Sequence, residues 1–152
     1  MYQSLDSSVQ YCVGNKYDPT ERTLGIVANN AEITGEGTYT VSLDFSNCGI
    51  PKGVLFSALG IYNGEKFFPD YTISIDEVKV NGEVRELSGK EYTCSDDGNC
   101  TRVNLYNQWV TSIPDDCRYA DGDKSGLSAT VLPVKDNEIL STLEITFTYS
   151  AP

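Results

Sequence analysis

Histidine is missing altogether from this chain, and with it go the usual general base, the usual catalytic dyads and triads, and the commonest zinc ligand. Hydrolytic chemistry would have to rest on carboxylates alone. Basic residues are scarce as well: eleven Lys and Arg stand against twenty-two Asp and Glu, a net charge of -11. That field repels phosphate backbones and anionic membrane surfaces, so neither nucleic acid nor a lipid surface is an expected partner. A neutral polymer or a cation meets no such barrier. No apolar run approaches the roughly 20 residues a helix needs to cross a bilayer, and no charged-then-apolar leader opens the chain. Membrane insertion is therefore not expected, and Met1 reads as the start of a cut segment, so that an export signal, if the protein has one, lies outside it. The five cysteines show none of the paired C-x-x-C spacing of a zinc ribbon.

What is abundant favours strands and turns. Thirteen Gly, six Pro, ten Tyr and five Phe suit short extended segments joined tightly, in a length of 152 residues that fits one domain spanning 1–152. Between Thr38 and Phe45, Tyr39, Val41, Leu43 and Phe45 alternate with polar residues, and Leu143 to Tyr149 repeats the pattern. Such alternation describes a sheet covered on one face. From Tyr71 to Val80 the apolar phase slips at Asp76-Glu77, which predicts a β-bulge, and Asn81-Gly82 then predicts a tight hairpin into 83–87. Further strands are expected near 24–28, 54–61, 90–94, 101–110 and 127–132, with an edge strand in the polar lead-in. Pro114 to Arg118 is the one candidate helical turn. The fold class is all-β, a two-sheet antiparallel β-sandwich of jelly-roll type.

Cys94 and Cys100 flank an Asp97-Gly98 turn, and a disulfide is expected between them across the hairpin. Cys12, Cys48 and Cys117 leave their pairing open.

Three clusters carry functional candidates. In 101–110, Arg102, Asn104, Tyr106 and Gln108 fall on the face opposite Val103 and Leu105, so an aromatic plate shares a surface with amides. Sugars present flat C–H faces and hydroxyl edges, which suit that mixture. Trp109 has the parity of Val103 and Leu105, so it is either a core anchor or, turned outward at a strand end, a stacking platform. The loop from Tyr62 to Tyr71 adds Tyr62, Phe67, Phe68 and Tyr71, and the consecutive Phe67 and Phe68 cannot both face the core. Finally, Asp121 and Asp123 occupy the first and third positions of a calcium loop whose twelfth position, Leu132, lacks the closing acid. A solvated acidic turn is the default there and a structural Ca2+ the alternative. The adjacent pairs Asp76-Glu77 and Asp96-Asp97 lack the opposed placement a glycosidase needs, so no enzymatic activity is expected.

The segments Phe56-Ser-Ala-Leu-Gly-Ile61, Phe68 to Gly82 and Thr101-Arg-Val-Asn-Leu-Tyr-Asn-Gln-Trp-Val110 resemble the non-catalytic carbohydrate-binding modules attached to plant-cell-wall glucanases of gut anaerobes. The likeness runs from about Gly35 to Tyr149. It implies a β-sandwich that binds β-glucan or a related hemicellulose through Asn104, Tyr106, Gln108 and Trp109, flanked by Tyr62, Phe67 and Tyr71. It further implies a secreted or cell-surface, monomeric module whose partner is a catalytic glycoside hydrolase domain in the same parent chain. A single tryptophan departs from the several that many such clefts use, which points to a soluble glucan chain rather than crystalline cellulose. The other expectation is a structural or adhesive module of a bacterial surface protein.

Overall fold

A computed structural model describes residues 2–5, 9–11, 26–47, 56–96, 99–107, 112–135 and 138–152. Among these residues, ten strands and one helical turn follow in order: β1 (Tyr2–Leu5), β2 (Val9–Tyr11), β3 (Val27–Asn29), β4 (Gly37–Asp44), β5 (Phe56–Ile61), α1 (Gly64–Phe67), β6 (Thr72–Val80), β7 (Glu83–Arg85), β8 (Thr93–Asp96), β9 (Cys100–Asn107) and β10 (Thr142–Ser150). They form two five-stranded sheets, ordered β2-β1-β5-β9-β8 and β3-β4-β10-β6-β7, and every strand pairing is antiparallel. The all-β sandwich expected from the alternation is the fold.

The core lies between the sheets and is built by the predicted parity. Val41, Leu43 and Phe45 meet Leu143, Ile145, Phe147 and Tyr149 from one sheet, while Leu59, Ile61, Val103 and Leu105 come from the other. Each such buried Leu, Ile or Phe contributes about 1.5–3 kcal/mol. The opposite face of β4 and β10 is wet, where Thr40 and Thr146 share a hydroxyl hydrogen bond of 2.9 Å and Thr38 and Thr148 one of 3.2 Å. The phase slip in β6 is a bulge: Glu77 faces Thr146 and Ile75 faces Phe147, leaving Asp76 as the extra residue. Asn81 and Gly82 both hold positive φ, 53° and 82°, the two-residue turn that matches the twist of a hairpin.

Because β7 covers only Val78–Val80, the backbone of β6 upstream needs other partners. The Ile73 amide donates to Thr93 Oγ1 at 2.9 Å and the Ile75 amide to Glu91 Oε1 at 2.9 Å. Both acceptors are buried, so polar side chains beside β8 tie one sheet to the other.

Several expectations need correction. The lead-in supplies the expected edge strand, β2, and also a second strand, β1, which lies between β2 and β5. The apolar run 127–132 is no strand; apart from an isolated bridge of Leu127 to Lys90, it is a loop whose Val131 and Leu132 amides donate to the Leu105 carbonyl. Pro114 to Arg118 makes a turn closed by the Cys117 amide on the Pro114 carbonyl, and the helical turn falls at α1 instead. No disulfide joins Cys94 to Cys100. The hairpin register sets Cys94 opposite Arg102 and Cys100 opposite Asp96, two positions out of step, and a diagonal of roughly 7–8 Å exceeds the reach of a disulfide. Cys94, Cys100 and Cys117 are buried, while Cys12 and Cys48 lie outside the described residues. No helix among the described residues is long and apolar enough to cross a membrane.

Candidate functional site

At one end of the sandwich the chain leaves β5 through Tyr62 and Asn63, makes the single turn α1, and returns through Phe68 to β6. Asn63 stands in the left-handed region at φ 58°, which Asn tolerates better than most residues, and its carbonyl accepts the Lys66 and Phe67 amides at 3.1 Å each. The turn sits close against β9: a Cβ on Gly64 would lie 2.4 Å from Thr101 Oγ1. Only glycine permits that approach. Glu65 then reaches back, its Oε1 accepting from Thr101 Oγ1 at 2.8 Å and from the Arg118 guanidinium, while its amide donates to the Asn99 carbonyl at 2.8 Å. Arg118 also donates from Nε and Nη2 to the Tyr71 carbonyl, at 3.0 and 2.7 Å. Three separated segments thus converge on one short turn.

That bracing divides the aromatics of the loop. Phe68 turns inward, its ring 5.4 Å from Tyr71 and 5.8 Å from Tyr149, and Tyr71 lies 5.0 Å from Tyr149. Burial there pushes the Tyr149 hydroxyl up to about 12. Phe67 and Tyr62 turn outward, 64% and 51% exposed. Between them and the segment that leads into β4 runs a groove of about 190 Å³, with Asn30, Asn63 and Gly60 along it and Leu59, Val41 and Phe147 beneath. Lys66 Nζ stands 5.4 Å from the centre of the Phe67 ring. Among the described residues that line this groove there is no carboxylate. Its chemistry is that of two accessible rings and amides around an apolar floor.

The remaining candidates go elsewhere. Tyr71 supports the turn from within. Asn104 is 1% exposed and donates to the Tyr92 hydroxyl at 2.6 Å, so it is no surface amide. The register between β5 and β9 slips at Leu105, with Ser57 opposite Tyr106 and Ala58 opposite Asn104. The slip breaks the alternation that would place Asn104 and Tyr106 on a common face, and Tyr106 is half-buried against the main core. Arg102 is half-buried between Gly60 and Cys94 in the sheet register. Gln108 and Trp109 lie outside the described residues. The solvent-facing plate expected along β9 is therefore not assembled by Asn104 and Tyr106.

Asp121 and Asp123 are exposed in a turn that closes on itself. Asp123 accepts the amide and hydroxyl of Ser125, each at 2.9 Å, and Lys90 Nζ lies 3.2 Å from Asp123 and 3.6 Å from Asp121. Those hydrogen bonds, the Ser125 amide foremost, hold the Asp123 carboxyl down at about 2. The Lys90 ammonium is the cation that these two carboxylates face. No group of three or more acidic or thiol ligands gathers among the described residues.

Asn30, Asn63, Gly64 and Arg118 were not singled out by the pattern of the sequence. Asn63-Gly64 carries a legible turn signal, whereas nothing local marks Arg118 as the partner of Glu65, fifty-three positions earlier.

The chain matches no protein-family model, no curated protein and no solved structure.

Proposed function

We propose that this domain binds a neutral polysaccharide without acting on it. The observation that carries the reading is the groove beside α1: two exposed rings, Tyr62 and Phe67, flank amides over an apolar floor, and no described lining residue is acidic. Rings can take the C–H faces of sugar units while Asn30 and Asn63 address hydroxyls. A neutral polymer also approaches a chain of charge -11 without repulsion. The sequence resemblance supplies the class, β-glucan or a related hemicellulose, and the setting, a secreted or cell-surface chain that carries a glycoside hydrolase alongside. In that setting the module raises the local concentration of its enzyme on the polymer.

Affinity gel electrophoresis with mixed-linkage β-glucan and xyloglucan tests this. The wild type is expected to be retarded, with a dissociation constant in roughly the micromolar to millimolar range, and Tyr62→Ala with Phe67→Ala is expected to weaken it about tenfold or more. Unretarded wild type across the panel, or retardation that survives the double substitution, overturns the assignment. A structural or adhesive role is the second reading. It gains if no glycan binds.

A further inference from the structure

We propose that Cys94 and Cys117 form a structural disulfide that clasps the segment 112–126 to the free edge of β8. Thr93 and Arg118 exchange two backbone hydrogen bonds, Thr93 amide to Arg118 carbonyl and Arg118 amide to Thr93 carbonyl, both 2.8 Å. They form an antiparallel bridge. One residue further on the contact passes through a side chain: Asp116 Oδ2 accepts the Ser95 amide at 3.2 Å and the Ser95 hydroxyl at 2.5 Å. With 93 opposite 118 and 95 beside 116, Cys94 stands directly opposite Cys117, at the position that follows a hydrogen-bonded pair. Residues at such non-hydrogen-bonded positions have Cα atoms about 4.5 Å apart, inside the span a disulfide bridges.

The side chains agree with the backbone. Cys94 and Cys117 are 2% and 7% exposed and belong, with Tyr92, to a small cluster of their own, separate from the core between the sheets. Ile113, Leu127 and Ala129 pack against it. Thr93 points the other way, into the backbone of β6, so Cys94 lies on the outer face of its sheet, under the segment that carries Cys117.

Closing the bridge removes one S–H proton from each cysteine and forms one S–S bond. The two electrons pass to an external disulfide, a small-molecule disulfide or a disulfide-bearing oxidoreductase, which is reduced to two thiols. Because both sulfurs are covered in the folded domain, the exchange takes place while the segment docks. The bridge encloses a loop of roughly 20 residues, so it secures a whole covering segment rather than a hairpin tip. The assignment does not depend on glycan binding.

Peptide mapping decides it. The full chain is refolded in a glutathione redox buffer, alkylated and digested with trypsin without reduction. Cleavage after Lys90, Arg102 and Arg118 places Cys94 and Cys100 together in 91–102 and Cys117 in 103–118. A linked pair of these peptides is expected in the wild type and in Cys100→Ser, absent in Cys94→Ser, and separated by reductant. The thermal midpoint of the wild type and of Cys100→Ser is expected to fall by roughly 5–10 °C on reduction. Alkylated Cys117 in the oxidised wild type overturns the pairing, as does its linkage to Cys12 or Cys48, or persistence of the link in Cys94→Ser. Should Cys94→Ser fail to fold, the wild-type and Cys100→Ser maps settle the matter between them.

Discussion

Replacing Arg118 by alanine probes how the outward-facing rings are held. The guanidinium makes a charge-assisted contact with Glu65 and two hydrogen bonds to the Tyr71 carbonyl, and the side chains of Arg118 and Glu65 are only 19% and 13% exposed. Truncation leaves a carboxylate and a carbonyl short of partners in a partly covered setting. A hydrogen bond to a charged group contributes about 1.5–3 kcal/mol, and residual solvent screening keeps the total well below the sum, so a loss of about 2–3 kcal/mol is expected. For a domain of this size that corresponds to a fall of roughly 5–10 °C in the thermal midpoint. Differential scanning calorimetry or urea titration reads it. A cycle with Glu65→Gln is expected to show a coupling of about 1–2 kcal/mol. Since α1 presents Phe67, Arg118→Ala is also expected to weaken β-glucan retardation although Arg118 does not line the groove. A variant that melts with the wild type refutes the bracing argument, and one that is destabilised yet binds unchanged below its melting range refutes the link to the groove.

Two further outcomes follow from buried or semi-buried polar groups. Asn104→Leu strands the Tyr92 hydroxyl and is expected to cost about 1–3 kcal/mol, most of it recovered by adding Tyr92→Phe, with glycan affinity unchanged in both; urea denaturation and the affinity gel check the two halves. Arg85 grips Glu138 through both carboxylate oxygens, at 2.9 and 2.5 Å, and holds that carboxyl below its ordinary 4.5. A depressed acid stabilises the fold fully above its unfolded value and loses that contribution as pH falls through the folded one. The wild type is therefore expected to lose stability progressively below about pH 4.5, and Glu138→Gln, weaker at neutral pH by about 1–2 kcal/mol, to show a shallower decline in thermal scans over that window.

The parts of the fold legible in the sequence are those where side chains report directly on a face. The period of two in β4 and β10 gave their inward sets residue by residue, the phase slip at Asp76 located the bulge, and Asn81-Gly82 located the hairpin. Where pairing rather than patterning decides, the residues are silent. The extra residue at Leu105 has no local signature, and it redirects Tyr106 while Asn104 goes to Tyr92. Apolarity at 127–132 reads as a strand because a loop draped over the Leu105 carbonyl needs the same residues as a strand in a sheet. A four-residue helix is too short for any periodicity. Of the binding candidates, Tyr62 and Phe67 were legible because consecutive phenylalanines must divide between inside and outside. Their amide neighbours depend on how distant segments meet.

The strand at the middle of the second sheet, β10, is the last of the ten described strands, and both β4 and β6 hydrogen-bond to it. Until Ser150 is available, neither of those earlier strands has its principal neighbour, and half of the sandwich cannot close. The second sheet therefore cannot assemble until residues 142–150 have emerged, whatever precedes or follows this stretch. A cut within β10 would then unpair two central strands at once rather than trim a margin.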